Sequence, residues 1–269
     1  MNASIPLTEN VYMPQNYVIE DIEVQTSDTN LYKVKCDLNP LPGQFVEVSI
    51  PFLGECPISI ASYDPEYIEL LIRNVGSVTN AIFKLKKGDK IGIRGPFGRG
   101  YPMKEIEGRN ILIIAGGTGV APPVGVVKYI EKNRDKYGKV HIFLGFRTPN
   151  DMLFKKDIKR FEQKFSVQLT VDRADDTWTC DVGLITTLMA KHDLDPKNTT
   201  VICCGPPIMI KCSIDQLKSR NFSDEQIYVS LERHMKCGIG KCGHCMIHGK
   251  YACKDGPVFR FDEVKNVSE

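Results

Sequence analysis

Four cysteines between Cys237 and Cys253 carry the clearest chemistry in the chain. Cys237, Cys242 and Cys245 are spaced C-x4-C-x2-C, and Cys253 follows after a further x7. That opening spacing is the one used by plant-type [2Fe–2S] clusters, where a tight loop wraps its thiolates around two irons and a fourth ligand arrives from nearby. Gly238, Gly240 and Gly243 stand between these residues, where they permit positive φ and let backbone N–H groups approach sulfur. The alternative is a structural zinc site with four cysteine ligands, which more often uses two CxxC pairs; only one pair exists here. His244 could replace a thiolate, as in a Rieske centre, but four cysteines already complete the set, so a solvent-facing histidine is expected.

A second chemistry lies at Gly116-Gly117-Thr118-Gly119, which follows the apolar run Ile111 to Ala115 and precedes Pro122 and Pro123. A buried strand ending in a glycine turn, with prolines suited to the first helical positions, offers N–H groups and a helix N-terminus to a pyrophosphate. The turn is not the GxGxxG fingerprint, and such turns also serve simple packing. Cys203-Cys204-Gly205-Pro206-Pro207 predicts another strand ending at the same carboxyl edge, where open α/β sheets bind ligands. Cys204 either faces a nicotinamide or is a small buried hydrophobe, and Cys203 is expected to be buried. Asp172, after the strand Val167 to Val171, could accept from an adenosine ribose hydroxyl, which would favour NADH; the bland alternative is a solvated loop carboxylate.

The elements that must position these groups fall into three blocks. From Tyr17 to Gly95 the chain runs in short alternating segments (Val18 to Val24, Leu31 to Cys36, Gln44 to Ile50, Tyr67 to Arg73, Lys90 to Arg94) parted by turn signals, which predicts an antiparallel barrel or sandwich. After Gly108, strands at Ile111 to Ala115, Val140 to Gly145, Val167 to Val171 and Thr200 to Cys204 alternate with helix-like stretches. That rhythm predicts a doubly wound parallel α/β sheet. A last strand, Gln226 to Leu231, leads into the cysteine-rich stretch, too short for a core of its own and in need of a metal. The expected fold is multidomain: a β-barrel over 12–103, an α/β domain over 104–224 and a cluster segment over 225–269.

Composition narrows the class. The 269 residues are 42% hydrophobic and 25% charged, with 35 basic against 33 acidic residues, a balance that calls for neither nucleic acid nor an anionic membrane. No apolar run approaches the length of a membrane span, and Met1 to Asn16 lacks the pattern of a signal peptide, so a cytoplasmic protein is expected. Ten cysteines in a reducing compartment, four of them crowded together, point to metal rather than disulfides. Lys236 and Lys241 flank the cluster loop and could steer an acidic partner, whereas Lys155, Lys156, Lys159 and Arg160 are expected to form a solvated helix face.

With barrel, nucleotide domain and cluster in this order, the chain resembles the ferredoxin–NADP reductase superfamily, in its branch with a C-terminal [2Fe–2S] segment. Within that branch Gln44 to Ser49, Cys56 to Ile60, Leu70 to Gly76, Gly205 to Ile210 and Glu232 to Cys237 look most like the B-subunit family of anaerobic sulfite reductases. The gamma subunits of sulfhydrogenases and the electron-transfer subunits of dihydroorotate dehydrogenases are close relatives. The resemblance implies FAD on the barrel, with Pro57, Ile58 and Ser59 along the flavin, Ile72 and Arg73 beside it with Arg73 neutralising its diphosphate, and Gly76, Ser77, Val78 and Thr79 supplying N–H and hydroxyl donors. Branch members often place an arginine before the Pro-x-Ser segment; here that residue is Cys56, so Arg73 or Arg94 must carry more of the contact. The resemblance also implies NAD(P)H, taken as NADH on the strength of Asp172, at Gly116 to Gly119 and at Cys204 to Pro206, and passage of electrons to sulfite reductase catalytic and iron–sulfur subunits. Hydride brings two electrons and a [2Fe–2S] cluster takes one, so a flavin must stand between them; no acid–base or nucleophilic residue is required.

Overall fold

The computed structural model describes residues 10–265. Six antiparallel strands build the first domain: β1 (Gln15–Val24), β2 (Thr29–Lys35), β3 (Phe45–Ile50), β4 (Gly54–Ser59), β5 (Tyr67–Arg73) and, after the short helix α1 (Ser77–Ile82), β6 (Lys90–Phe97). Their order is β4-β3-β6-β1-β2-β5, and an antiparallel bridge between Ile60 and Leu70 joins the two ends into a barrel. Period-two alternation does the sorting. Ile68, Leu70 and Ile72 of β5 point inward with Val46 and Val48 of β3, while Leu71 points out and packs with Leu31 against the second domain.

The second sheet has the order β10-β9-β8-β7-β11-β12-β15. Its parallel core is β7 (Asn110–Gly116), β8 (Val140–Phe146), β9 (Ser166–Val171), β10 (Asp181–Val182), β11 (Thr199–Cys204) and β12 (Ile227–Ser230). β7 is buried along all but its first residue, as a central parallel strand covered on both faces must be. Helices α2 (Ala121–Lys132) and α3 (Lys155–Glu162) lie over one face, α4 (Ile185–Ala190) and α5 (Pro207–Ser219) over the other. This is the doubly wound arrangement expected.

The cysteine-rich segment leaves β12, forms the small hairpin β13 (Met246–Ile247) and β14 (Lys250–Tyr251), and returns as β15 (Val258–Arg260), antiparallel to β12. The seven-stranded sheet therefore draws strands from both sides of the expected boundary at residue 225. Parallel pairing is the reason: β12 finds its partner in β11, not in the short segment that follows it. Cys245, Ile247, Ala252, Cys253 and Phe259 share one core with α4 and α5, so the segment borrows the interior it cannot build.

The barrel and the α/β domain meet closely at α2. Gly125 packs tightly on the barrel, since a Cβ there would lie 3.2 Å from the Ile60 carbonyl oxygen. Lys128 pairs with Glu69 of β5 and lies 3.4 Å from Asp157 of α3, both carboxylates being largely buried. Among the described residues no helix is long and apolar enough to cross a membrane.

Candidate cofactor-binding site

The cysteine loop is shaped by its glycines. Gly238, Gly240 and Gly243 all take φ between +72° and +78°, a conformation in which L side chains are strained. The turns they allow direct backbone donors at sulfur: Gly240 N–H lies 3.1 Å from Cys253 Sγ, Lys241 N–H 3.3 Å from Cys237 Sγ, and Cys253 N–H 3.4 Å from Cys245 Sγ. The thiols associate two and two, Cys237 with Cys242 and Cys245 with Cys253. Among the described residues no three histidine, cysteine, aspartate or glutamate side chains gather around a single ion position. Two pairs of sulfurs with N–H donors pointed at them fit a two-iron cluster, in which each iron takes two thiolates.

Electrostatics reinforce that fit. Burial alone would push the Cys237 thiol up, but the N–H groups of Cys242, Ile239 and Lys241 together pull it down to about 6. Burial, then the neighbouring Cys245, pushes Cys253 up to about 12. The Cys237 thiolate is thus easily held and that of Cys253 is not, so Cys253 would need a metal to balance its charge as a ligand. Cys242 is exposed, as are Lys241 and His244, whereas Cys245 and Cys253 are buried.

At the carboxyl ends of β7 and β11, the two glycine-bearing edges touch. A Cβ on Gly119 would lie 2.7 Å from the Gly205 Cα and 2.8 Å from its nitrogen, so both turns are held backbone to backbone. Gly116 is closed in by Met209 Sδ, whereas Gly117, at φ +56°, and Thr118 are exposed with open space before the Gly117 Cβ position. Pro122 and Pro123 occupy the first turn of α2 and carry no N–H, and the Ala121 N–H donates back to the Thr118 carbonyl. The open crest at Gly117 and Thr118, the first positions of the 3-10 turn that leads into α2, fits a pyrophosphate. Gly205 and Pro206 form the facing lip, with Pro206 exposed. Cys203 lies in the core beneath α4 and α5; Cys204 is also buried, hydrogen-bonded with Ser230, and burial pushes its thiol up to about 12. Asp172 is exposed at the end of β9, its own N–H donating to the Phe146 carbonyl at 3.0 Å.

On the barrel, Pro57, Ile58 and Ser59 are half-buried along β4, and the chain continues through Ile60 to the contact with α2. The Gly116 to Gly119 turn therefore lies nearly two helical turns along the chain from the contact with this strand. Ile72 is inside the barrel, so its side chain serves the core and only its backbone can face a ligand. Arg73 is exposed and donates from Nε to Asp28 Oδ2 at 2.7 Å. Gly76, Ser77 and Val78 lie at the start of α1. Thr79 Oγ1 instead accepts from the N–H groups of Val75 (3.0 Å) and Gly76 (2.9 Å), which closes the turn and commits the hydroxyl to the backbone.

Arg94 does not supply the phosphate contact left open by Cys56. It is 6% exposed and grips Glu55 through Nε (2.9 Å to Oε1) and Nη2 (2.5 Å to Oε2). Its Nη1 donates to the carbonyls of Val11 (2.8 Å) and Cys237 (3.3 Å). The guanidinium is thus spent on Glu55, Val11 and the cysteine loop, whereas Arg73 is exposed at the end of β5. Glu47, directly across the ladder from Arg94, is 1% exposed, and its Oε1 has no hydrogen-bond partner among the described residues. Burial raises its carboxyl to about 7 against the pull of Arg94. Neither glutamate stood out in the sequence, because nothing local marks a residue whose partners arrive from other strands.

Barrel, nucleotide sheet and cysteine loop together define a class: a flavin- and nicotinamide-binding oxidoreductase of ferredoxin–NADP reductase-like fold carrying an iron–sulfur segment. Family models agree, matching an oxidoreductase FAD-binding domain at residues 16–101, an oxidoreductase NAD-binding domain at 113–215 and the iron–sulfur cluster binding domain of dihydroorotate dehydrogenase B at 232–265. The chain belongs to the family that contains the gamma subunits of sulfhydrogenases and the electron-transfer subunits of dihydroorotate dehydrogenase B. It is 41% identical to sulfhydrogenase 1 subunit gamma of Pyrococcus furiosus over 83% of this chain and 80% of that one. To sulfhydrogenase 2 subunit gamma of the same organism it is 37% identical over 94% and 96%. A probable dihydroorotate dehydrogenase B (NAD(+)) electron transfer subunit of Methanocella arvoryzae is 36% identical over 91% and 90%. Among solved structures, an NADH-dependent reduced ferredoxin-NADP oxidoreductase superposes with a TM-score of 0.76 at 25% identity, covering 93% of this chain and 92% of that one. These relatives support the family without singling out a sulfite reductase component.

Proposed function

We propose that this chain takes a hydride from NADH and delivers single electrons to a separate catalytic subunit, with Cys237, Cys242, Cys245 and Cys253 as the cluster ligands. FAD, when bound, accepts the pair of electrons and releases them one at a time to a [2Fe–2S] cluster. The observation that carries the reading is a continuous path of packed groups. Ser59 pairs with Phe45 across β3 and β4, Phe45 packs on Phe97 with ring centroids 6.0 Å apart, and a Cβ on Gly238 would lie 3.1 Å from the Phe97 ring. The flavin-binding strand and the cluster loop thus share one aromatic wall.

In this reading the protein's own groups position rather than react. Gly116 to Gly119 and Gly205-Pro206 seat the dinucleotide, with Asp172 accepting from the ribose; Pro57 to Ser59, the Ile72 backbone and Arg73 hold the flavin, with Gly76, Ser77, Val78 and Thr79 lining its phosphate end.

For the acceptor, the matched relatives favour a catalytic partner of sulfhydrogenase or dihydroorotate dehydrogenase type. The motif resemblance of Gln44 to Ser49, Cys56 to Ile60 and Glu232 to Cys237 supports sulfite reductase catalytic and iron–sulfur subunits instead. Affinity purification of the native complex under anaerobic conditions separates these. NADH-dependent sulfite reduction by the purified complex would establish the sulfite partner; activity only with dihydroorotate, or only with hydrogen or sulfur, would establish the corresponding relative's role.

A further inference from the structure

Arg94 touches three separate parts of the chain with one buried guanidinium. Nε and Nη2 hold Glu55, which immediately precedes Cys56 and the Pro57 to Ser59 segment, while Nη1 donates to Val11 and to Cys237. The guanidinium carbon lies 5.4 Å from the centroid of the Phe97 ring, against which Gly238 packs. Glu47 faces the same group from β3, with its Cγ 3.2 Å from the Gly238 Cβ position. A cation, its carboxylate partner and a second carboxyl are therefore buried where barrel and cluster loop meet.

We propose that Arg94 is a positioning residue that fixes the cluster loop on the flavin-binding barrel, and that the Arg94–Glu55 pair sets the charge felt by the cluster. The inference rests on the cluster reading above. A reduced cluster carries one more negative charge than an oxidised one, so a neighbouring cation favours the reduced form and a neighbouring carboxylate opposes it. The fork geometry of arginine matters as well, since the single nitrogen of lysine cannot occupy the separate positions from which Nε, Nη1 and Nη2 donate.

The test compares Glu55→Gln, Arg94→Met and Arg94→Lys with the wild type in the full-length protein, purified anaerobically. Iron and FAD contents are measured first, then the cluster midpoint potential by EPR-monitored titration and the rate of cluster reduction by NADH. Glu55→Gln should raise the potential and Arg94→Met lower it. Arg94→Lys should leave the potential near that of the wild type while slowing cluster reduction about tenfold, as misplacement of the cysteine loop would. FAD content should follow the wild type in Glu55→Gln and Arg94→Lys, which carry the test if Arg94→Met fails to fold. Unchanged potentials and rates, shifts of the same sign in Glu55→Gln and Arg94→Met, or loss of FAD in Arg94→Lys would overturn the proposal. A wild type without iron would overturn the cluster reading, and this inference with it.

Discussion

A carboxyl that is 1% exposed, with one oxygen unpaired among the described residues, must register in stability. Glu47 has its folded pKa raised from 4.5 to about 7. The folded chain keeps this proton where the unfolded chain has released it. Its contribution is therefore fully present below about 4.5 and lost as pH rises through about 7, a change of about 3 kcal/mol. Glu47→Gln should therefore stabilise the protein relative to wild type at pH 8 and not at pH 4, as read by denaturant unfolding at both values; parallel pH profiles would refute it. A separate expectation attaches to Asp172, whose exposed carboxylate would repel a 2′-phosphate. Asp172→Asn should shift the ratio of kcat/KM for NADPH over NADH upward by about tenfold, a change of roughly 1.4 kcal/mol. The cysteines were legible in the sequence because their spacing is local. Arg94, Glu55 and Glu47 were not, because their meeting depends on the register of β3, β4 and β6 and on a loop 143 positions away.

At the scale of elements, the two glycine turns act as one part. Gly119→Ala would drive a methyl group into the Gly205 backbone at 2.7 Å, with nothing flexible to yield. Overpacking of this kind costs about 1–3 kcal/mol. The variant should show a raised KM for NADH with unchanged FAD content, measured by steady-state kinetics and flavin absorption; an unaltered KM would show that the edges move independently. The cluster segment makes a second case. Its ends are anchored by β12 and β15 in the large sheet, while the loop between them has little regular pairing besides β13–β14. Removing iron should raise hydrogen exchange over residues 237–253 and leave 227–230 and 258–260 protected. Most barrel and α/β strands were readable from alternation and apolar runs, whereas β4 and α1 carried too short or too proline-broken a pattern. β15 became a strand only because β12 offered it an open edge.

For the whole molecule, three candidate sites are strung along the chain's fold: the glycine crest at β7 and β11, the half-buried β4 segment, and the cysteine loop seated on Phe97 and Glu47. The order in the chain is barrel, nucleotide domain, cluster, but in space the barrel touches both of the others, α2 through Ile60 and the cysteine loop through Phe97. That arrangement suits the proposed path from a two-electron donor to a one-electron exit, and the exposed Cys242, Lys241 and His244 would leave such an exit open to another protein. Cys253→Ser should abolish iron–sulfur absorption while retaining FAD and NADH-driven reduction of ferricyanide, an acceptor that the flavin alone can serve. The most direct measurement is anaerobic addition of NADH to the purified chain, followed by visible absorption and EPR on the same sample. Bleaching of the flavin together with the EPR signal of a reduced [2Fe–2S] cluster is the predicted result; a flavin that bleaches while an intact cluster stays oxidised would contradict it.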